Sequence, residues 1–170
     1  MLINRKFILA GIVFFLAILL PKDLFSQTRI PEMEVRDVHG KSFDLGSLKE
    51  DNKPLLVLFW ATWCKPCIEE MDNLSELYEE WQEEIDFEII AVCIDDTRSA
   101  SVIRSFVAGK DWPFRIIMDV NQDIKRAMNV TIIPHSYLFD HENRMVYKHT
   151  GYNPGNEYLL YDELMKLDGE

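Results

Sequence analysis

The chain has 170 residues, 48% of them hydrophobic, which suffices for one domain with a sizeable core and little beyond it. Its 29 acidic and 18 basic residues give a net charge of −11. This acidity makes nucleic acid and anionic membrane surfaces unfavourable partners, whereas a basic protein partner is permitted.

The first 26 residues differ from the rest in composition. Arg5 and Lys6 precede an uninterrupted apolar run over residues 7–20, and a short polar stretch follows it. The 14 residues of this run would span about 21 Å as a helix, less than the roughly 30 Å of a bilayer's hydrocarbon core. This length predicts a cleaved export signal, followed by a single domain, 27–170.

A retained N-terminal anchor is the alternative, because Leu24 stands where a cut before Gln27 would need a small residue. In either case we expect the folded domain outside the cytoplasm, most simply in the periplasm, and tethered to the membrane only through an uncleaved leader. Disulfides persist there, and a dithiol needs an external source of electrons to stay reduced. Without its leader the chain would have 15 basic and 28 acidic residues, a net charge of −13.

The rest of the chain alternates strand and helix signals. A loose alternation over Met33–Phe43 breaks at His39-Gly40, as a small hairpin would, and Leu55–Trp60 is an apolar run typical of a strand buried on both faces. Apolar residues at helical spacing then predict a helix from about Lys65 to Gln82. The later segments follow in this order: strand 87–94, helix 99–108 with Val102, Ile103, Phe106 and Val107 inward, strand 114–118, helix 121–128, antiparallel strands 136–139 and 145–149, and a closing helix 156–167 with Leu159, Leu160, Leu164 and Leu167 inward. This order predicts an α/β fold with a central mixed sheet flanked by helices and an N-terminal β-hairpin extension.

The sequence Trp63-Cys64-Lys65-Pro66-Cys67 lies between the first core strand and the long helix. Unpaired backbone N–H groups and the helix dipole favour an anion at a helix N-terminus, so a thiol there ionises more readily than a free cysteine. Cys64 is therefore the expected nucleophile. Cys67, one helical turn further on, can attack a mixed disulfide on Cys64 and release the partner reduced.

Two other uses of the cysteine pair stay open. A structural disulfide between residues three apart would close a tiny loop and constrain the unfolded chain little. A metal site would need more ligands than the pair supplies, and only Cys93 and four scattered histidines could add to them. The expected chemistry is thus redox exchange through a Cys64–Cys67 disulfide, with no metal and no cofactor.

Glu70 alone among the acids of the long helix borders its apolar stripe, which is centred on the direction of Cys67. A half-buried carboxyl one turn from a buried thiol should have a raised pKa and could take the proton from Cys67 as it attacks. A carboxylate that simply leans into solvent is the equal alternative. Cys93 lies in the middle of an apolar strand, which favours a buried, inert thiol over a second redox partner.

The motif Trp-Cys-x-Pro-Cys after a buried strand, together with Thr131-Ile132-Ile133-Pro134 before another strand, resembles the thioredoxin superfamily. More narrowly, residues 59–70 (FWATWCKPCIEE), the leader, the hairpin and Tyr137-Leu138-Phe139-Asp140 are similar to the TlpA/ResA group of extracytoplasmic thiol-disulfide oxidoreductases. The resemblance covers about residues 30–168 and implies a thioredoxin fold.

The resemblance implies several roles that spacing does not show. Pro134 would be cis and pack beside the dithiol, and Ile133 would offer backbone groups to an extended substrate chain, with Trp63 on the same docking surface. Glu70 matches a glutamate proposed in that group to tune the thiols, which favours the proton-transfer role. His135 is expected to be an ordinary strand residue rather than a redox group.

The chain also departs from the family pattern. Thioredoxin itself has a buried aspartate in the core strand and a lysine in the next strand, and the matching positions here are Leu58 and Ala91. Glu70 would then be the only acid near the thiols.

The predicted function is reduction of protein disulfides, including those of apocytochromes c awaiting haem, with electrons from a membrane thiol-disulfide carrier. An oxidase or isomerase of secreted proteins is the alternative within the same chemistry, and the reduction potential separates the two. A non-enzymatic module that holds copper or zinc on the thiols is the alternative outside it. The two-residue spacing counts against that module, because copper-delivering relatives usually have three residues between the cysteines.

Overall fold

A computed structural model describes residues 29–168, so the predicted leader lies outside the described residues. The helices are α1 Lys65–Gln82, α2 Ala100–Val107, α3 Asp123–Ala127 and α4 Asn156–Met165, and the strands are β1 Glu34–Arg36, β2 Ser42–Asp44, β3 Leu55–Trp60, β4 Glu88–Cys93, β5 Arg115–Met118, β6 His135–Phe139 and β7 Met145–Thr150. The 3-10 helices Leu45–Asp51 and Thr97–Ser99 precede β3 and α2. Each predicted strand and helix is present, and α1 has the predicted bounds.

Strands β3 to β7 form a five-stranded mixed sheet in the order β5-β4-β3-β6-β7. Strand β4 is parallel to β3 and β5, whereas β6 runs antiparallel to β3 and β7. All residues of β3 are buried, as expected of a central strand whose sheet is covered by helices. The predicted α/β class, the mixed sheet and the N-terminal hairpin are confirmed.

The register brings the functional ends of three strands to one edge of the sheet. Trp60, the last residue of β3, pairs with Cys93, the last residue of β4. Phe59 pairs with His135, the first residue of the antiparallel β6. The loops after β3 and β4 and the loop before β6 therefore meet at this edge.

The hairpin β1–β2 forms a separate two-stranded sheet that packs against the edge strand β5. Asp37 makes an antiparallel bridge with Ile117, and the N–H of Val38 donates to the carbonyl of Ile116 at 2.9 Å. The Asp37 carboxylate also closes the hairpin turn by accepting from two of its backbone N–H groups. The hairpin thus covers part of a sheet edge that would otherwise be open to another strand.

Two inward assignments from the sequence are wrong. Val102 and Leu159 are exposed. In each helix the face that packs against the core contains other residues. On α2 the buried residue is Ile103. On α4 and the turn after it, the stripe lies about 100° around the helix from Leu159 and consists of Glu157, Leu160, Leu164 and Leu167.

The loop before β5 is fixed to α1 by Asp72. Its carboxylate accepts from the Lys110 ammonium at 2.8 and 2.6 Å and from the Trp112 indole N–H at 2.8 Å. Trp112 packs edge-on against the fully buried Trp60, with ring centroids 5.2 Å apart. Asp72 therefore links this loop to the end of β3, directly before the dithiol turn.

Replacing Asp72 should loosen this loop. We expect Asp72→Ala to lower the free energy of unfolding by about 1–3 kcal/mol, because the Trp112 N–H and the half-buried Lys110 ammonium both lose their acceptor. Asp72→Asn keeps an acceptor oxygen for the indole and should cost less. Urea unfolding measures both variants. The control Glu163→Ala removes a surface partner of Lys166 and should stay within about 0.5 kcal/mol of wild type; equal midpoints for Asp72→Ala and this control would contradict the assignment.

Candidate active site

The cysteine pair lies at the junction between strand β3 and helix α1. Cys64 caps the helix and Cys67 is in its first turn, and a disulfide with an S–S distance of 1.99 Å joins them. Pro66 stands at the helix start, where its missing N–H costs no helical hydrogen bond. Cys67 is 1% exposed and Cys64 5% exposed, and Cys64 directly follows Trp63, which is 69% exposed. Both cysteines are thus buried in the disulfide form, and Cys64 is the one next to an exposed residue in the chain.

Asp95 supports the turn that carries the pair. Its Oδ2 accepts from the N–H of Thr62 at 2.7 Å, and its Oδ1 accepts from the Thr62 hydroxyl at 3.3 Å. Asp95 is buried and follows β4, so the parallel pairing of β3 with β4 places it beside the turn. The expectation that Glu70 would be the only acid near the thiols needs correction for this reason.

Cys93 is fully buried and pairs across the sheet with Trp60. Burial is the main cause that raises the pKa of its thiol, and the charges of Asp95 and Asp119 add to the rise. The thiol donates to Asp95, with Sγ 3.2 Å from Oδ2. These observations agree with the buried, inert cysteine that the sequence predicts.

Glu70 is 9% exposed and lies on the core side of α1. Burial raises the pKa of its carboxyl to about 8, and the negative charge of Glu157 adds to the rise. The carboxyl is therefore mostly protonated at neutral pH in the disulfide form. The alternative that Glu70 leans into solvent is excluded.

Glu157 is a buried acid near the site that sequence reasoning missed. It is 9% exposed, and its Oε2 accepts from the Tyr152 hydroxyl and from the N–H of Gly155, both at 3.0 Å. It lines the same small cavity as Glu70. The available signal was its place in the apolar stripe of the last helix.

The loop before β6 has the predicted cis bond between Ile133 and Pro134. Pro134 is buried and Ile133 half-buried, whereas Ile132 is 60% exposed. Because β6 pairs with the end of β3 from its first residue, this loop lies at the sheet edge from which the dithiol turn emerges. An apolar surface that includes Trp63 and Ile132 is thus exposed at that edge.

His135 follows this loop as the first residue of β6. Its Nδ1 lies 2.9 Å from the Thr150 hydroxyl, and its buried Nε2 has no hydrogen-bond partner among the described residues. Burial first, and then the charges of Lys148 and His149, lower the pKa of the ring. The imidazole is therefore neutral near pH 7, as an ordinary strand histidine would be.

Among the described side chains, those of residues 29–48 and 52–168, no three of His, Cys, Asp or Glu are grouped so as to hold a metal ion. In the same part of the chain, no helix is long and apolar enough to cross a membrane. The chemistry that the described side chains at this edge can perform is exchange of the Cys64–Cys67 disulfide with an outside thiol, with Glu70 as an adjacent acid.

Proteins with similar sequences are named as thiol-disulfide oxidoreductases. The model of the AhpC/TSA family matches residues 27–148. Thiol-disulfide oxidoreductase ResA of Bacillus cereus is 36% identical over 121 residues, which cover 71% of this chain and 67% of that protein. Thiol-disulfide oxidoreductase ResA of Bacillus subtilis is 27% identical over 121 residues, which cover 71% of this chain and 65% of that protein. The chain thus matches about two thirds of the length of these relatives.

Solved structures share the fold. An uncharacterized thioredoxin-like protein from Porphyromonas gingivalis has a TM-score of 0.73 and 34% identity, covering 85% of this chain and 95% of that chain. The exposed lipoprotein thioredoxin Etrx1 of Streptococcus pneumoniae has a TM-score of 0.65 and 21% identity, covering 81% of this chain and 100% of that chain. The predicted thioredoxin fold is confirmed, and the chain belongs to the AhpC/TSA family, as a ResA-like thiol-disulfide oxidoreductase of the thioredoxin superfamily.

Proposed function

We propose that this chain is an exported reductase that passes two electrons from an external thiol donor to protein disulfides through Cys64 and Cys67. The observation that carries the proposal is the position of the pair: Cys64 caps α1 directly after the exposed Trp63, whereas Cys67 and Glu70 lie on the buried side of that helix. Thiol-disulfide exchange needs one sulfur that the partner can reach and a resolving sulfur with an acid-base group nearby.

In the first half-reaction the thiolate of Cys64 attacks the substrate disulfide. A bond forms between the Cys64 Sγ and one substrate sulfur, and the other substrate sulfur leaves as a thiolate. Cys67 then gives its proton to the Glu70 carboxylate, attacks the Cys64 Sγ and releases the second substrate sulfur. The products are a reduced substrate, the Cys64–Cys67 disulfide and a protonated Glu70. The disulfide in the structure and the raised pKa of the Glu70 carboxyl support this end state.

In the second half-reaction a donor thiolate opens this disulfide at Cys64. The Cys67 sulfur leaves and takes the proton back from Glu70. The second thiolate of the donor attacks the mixed disulfide, so that the donor ends oxidised and Cys64 returns to the thiolate. Glu70 thus serves as proton acceptor in one half-reaction and proton donor in the other.

Substrate docking would use the surface beside Cys64. The backbone of Ile133 precedes the first ladder pair of β6, and this position supports a role in which its N–H and C=O would pair with an extended substrate segment, as in strand addition. Pro134 would form the floor of this contact, and the exposed Trp63 would cover apolar residues next to the substrate cysteine.

The finer parts of the proposal rest on the sequence. The leader pattern of the first 26 residues supports export to the periplasm, by a cleaved signal or a retained anchor. The resemblance to the TlpA/ResA group supports apocytochromes c among the substrates and a membrane thiol-disulfide carrier as the electron donor. The net acidity argues against nucleic acid as a partner.

The reduction potential of the Cys64–Cys67 couple tests the direction of transfer. Residues 27–170 are equilibrated in dithiothreitol or glutathione buffers, and the free thiols are counted. We expect a value near that of thioredoxin, about −270 mV, and the same value for the control Cys93→Ala. A value near the strong oxidants, about −120 mV, would indicate an oxidase or isomerase instead, and a pair that does not cycle would restore the structural and metal-binding readings.

Single cysteine variants test which sulfur attacks. With a peptide that contains a disulfide, we expect Cys67→Ser to accumulate a mixed disulfide on Cys64, because the resolving sulfur is gone. Cys64→Ser should form no adduct at the buried Cys67. Mass spectrometry of the trapped species reads out both variants. If Cys64→Ser formed an adduct on Cys67 as fast as Cys67→Ser forms one on Cys64, the assignment of Cys64 as the attacking sulfur would be wrong.

The raised pKa of Glu70 predicts a pH-dependent stability of the disulfide form. The folded protein keeps the proton up to about pH 8, whereas the unfolded chain loses it near the ordinary value of 4.5. The proton therefore stabilises the fold fully below about pH 4.5, and this stability is lost as the pH rises to about 8. We expect wild type to lose on the order of 4 kcal/mol more than Glu70→Gln over that window. Urea unfolding of both proteins from pH 4 to 9 makes the measurement, and parallel pH curves would refute it.

A further inference from the structure

Glu70 shares its surroundings with Glu157. The two side chains line one cavity of about 10 Å³, together with Leu74, Ser136, Tyr147, His149, Asn156 and Leu160. A space of this size has room for about one water molecule. The side chains of Glu70 from α1 and Glu157 from α4 thus line the same small cavity.

No lysine or arginine is among the described residues that line this cavity. The titratable groups that face it are Glu70 from α1, Glu157 from α4, and Tyr147 and His149 from β7. Two carboxylates at low dielectric repel each other strongly, so such a pair retains a proton. Among the described residues of this lining, His149 is the group that can carry an opposing positive charge.

The hydrogen bonds decide which of the two acids holds that proton. Glu157 accepts from the Tyr152 hydroxyl and the Gly155 N–H, and Tyr152 in turn accepts from the side-chain amide of Asn73. Hydrogen bonds of this kind stabilise the charged form of a carboxyl. The Glu70 carboxyl has no hydrogen-bond donor among the side chains that the structure describes, those of residues 29–48 and 52–168. These contacts favour the proton on Glu70, whose pKa is raised by burial first and by the negative charge of Glu157 second.

We propose that Glu157 is a positioning residue for the dithiol reaction, whose hydrogen-bonded carboxylate keeps the shared proton on Glu70 and so presents Glu70 to Cys67 as an acid. The inference rests on the proposed function, because it assigns a partner to the acid that acts there. It places the control of proton transfer in α4, a different helix from the one that contains the cysteines.

Glu157→Gln tests the assignment directly. The amide keeps an oxygen that can accept from Gly155 but carries no charge, so the pKa of Glu70 in the disulfide form should fall by about one pH unit. It should stay above the ordinary value, because burial is the larger cause of the rise. Carboxyl ¹³C NMR titration of Glu70 measures the shift. The control Asp162→Asn removes an exposed charge from the same helix and should leave the pKa of Glu70 unchanged.

Tyr152→Phe provides a second variant in case Glu157→Gln does not fold. It removes one donor to the Glu157 carboxylate and leaves both carboxyl groups in place. Because the charge on Glu157 is then less stabilised, the pKa of Glu70 should fall in the same direction and by a smaller amount. An unchanged pKa of Glu70 in both variants, or an equal fall in Asp162→Asn, would overturn the proposal.

A kinetic readout connects the pair to the sulfurs. At pH 7.5, reduction of the Cys64–Cys67 disulfide by dithiothreitol should be about threefold slower in Glu157→Gln, because a fall of one unit in the pKa of Glu70 lowers its protonated fraction by that factor. The difference should disappear in the Glu70→Gln background. The NMR titration does not depend on turnover. If wild-type protein never reduces a substrate, the proposed function is refuted, but the pKa of Glu70 in the variants still tests the role of Glu157.

Discussion

The direction in which the central strands run is the constraint on which the site depends. Strands β3 and β4 are parallel and end side by side, while β6 is antiparallel and begins at that same edge. The dithiol turn, Asp95 and the loop that contains Pro134 are therefore brought together although they are far apart in sequence. Reversal of β6 alone would send Pro134 to the opposite edge of the sheet. The strand topology thus sets where the site lies, and the side chains then set its chemistry.

Their positions on α1 make the two sulfurs chemically unequal. Cys64 is held at the helix N-terminus, where the dipole and free N–H groups favour a thiolate, and it adjoins an exposed indole. Cys67 faces the core, with Sγ 4.0 Å from the carbonyl oxygen of Phe59, and a thiolate there is disfavoured until its proton has a destination. The inequality follows from one helical turn of spacing, and it supports the proposed division between attack and resolution.

The sequence was most informative where the signal was local. Helix α1 and the hairpin follow from periodicity and turn residues, and the fold from the order of the elements. Contacts between distant elements carry no such signal: nothing near Asp95 indicates that its carboxylate would accept from Thr62, and Glu157 faces Glu70 only because α4 packs beside α1. Val102 and Leu159 were misplaced because apolar identity alone does not show which side of a short helix meets the sheet.

The three buried acids near the site differ in their partners, and this difference sets what each can do. Asp95 accepts from Thr62 and Cys93, and Glu157 from Tyr152 and Gly155, so each has donors that fix its position. Glu70 lies on the buried side of α1 and lines a cavity with Leu74 and Leu160. Burial raises the pKa of its carboxyl and the negative charge of Glu157 adds to the rise, so Glu70 keeps its proton without a hydrogen-bond donor among the described side chains that fixes the carboxyl. The Glu70 carboxyl can therefore give this proton to the sulfur of Cys67, one helical turn away, when that sulfur leaves the disulfide. Because Glu70 and Cys67 belong to the same helix, the distance between them also survives any movement of α1 against the sheet when a substrate docks.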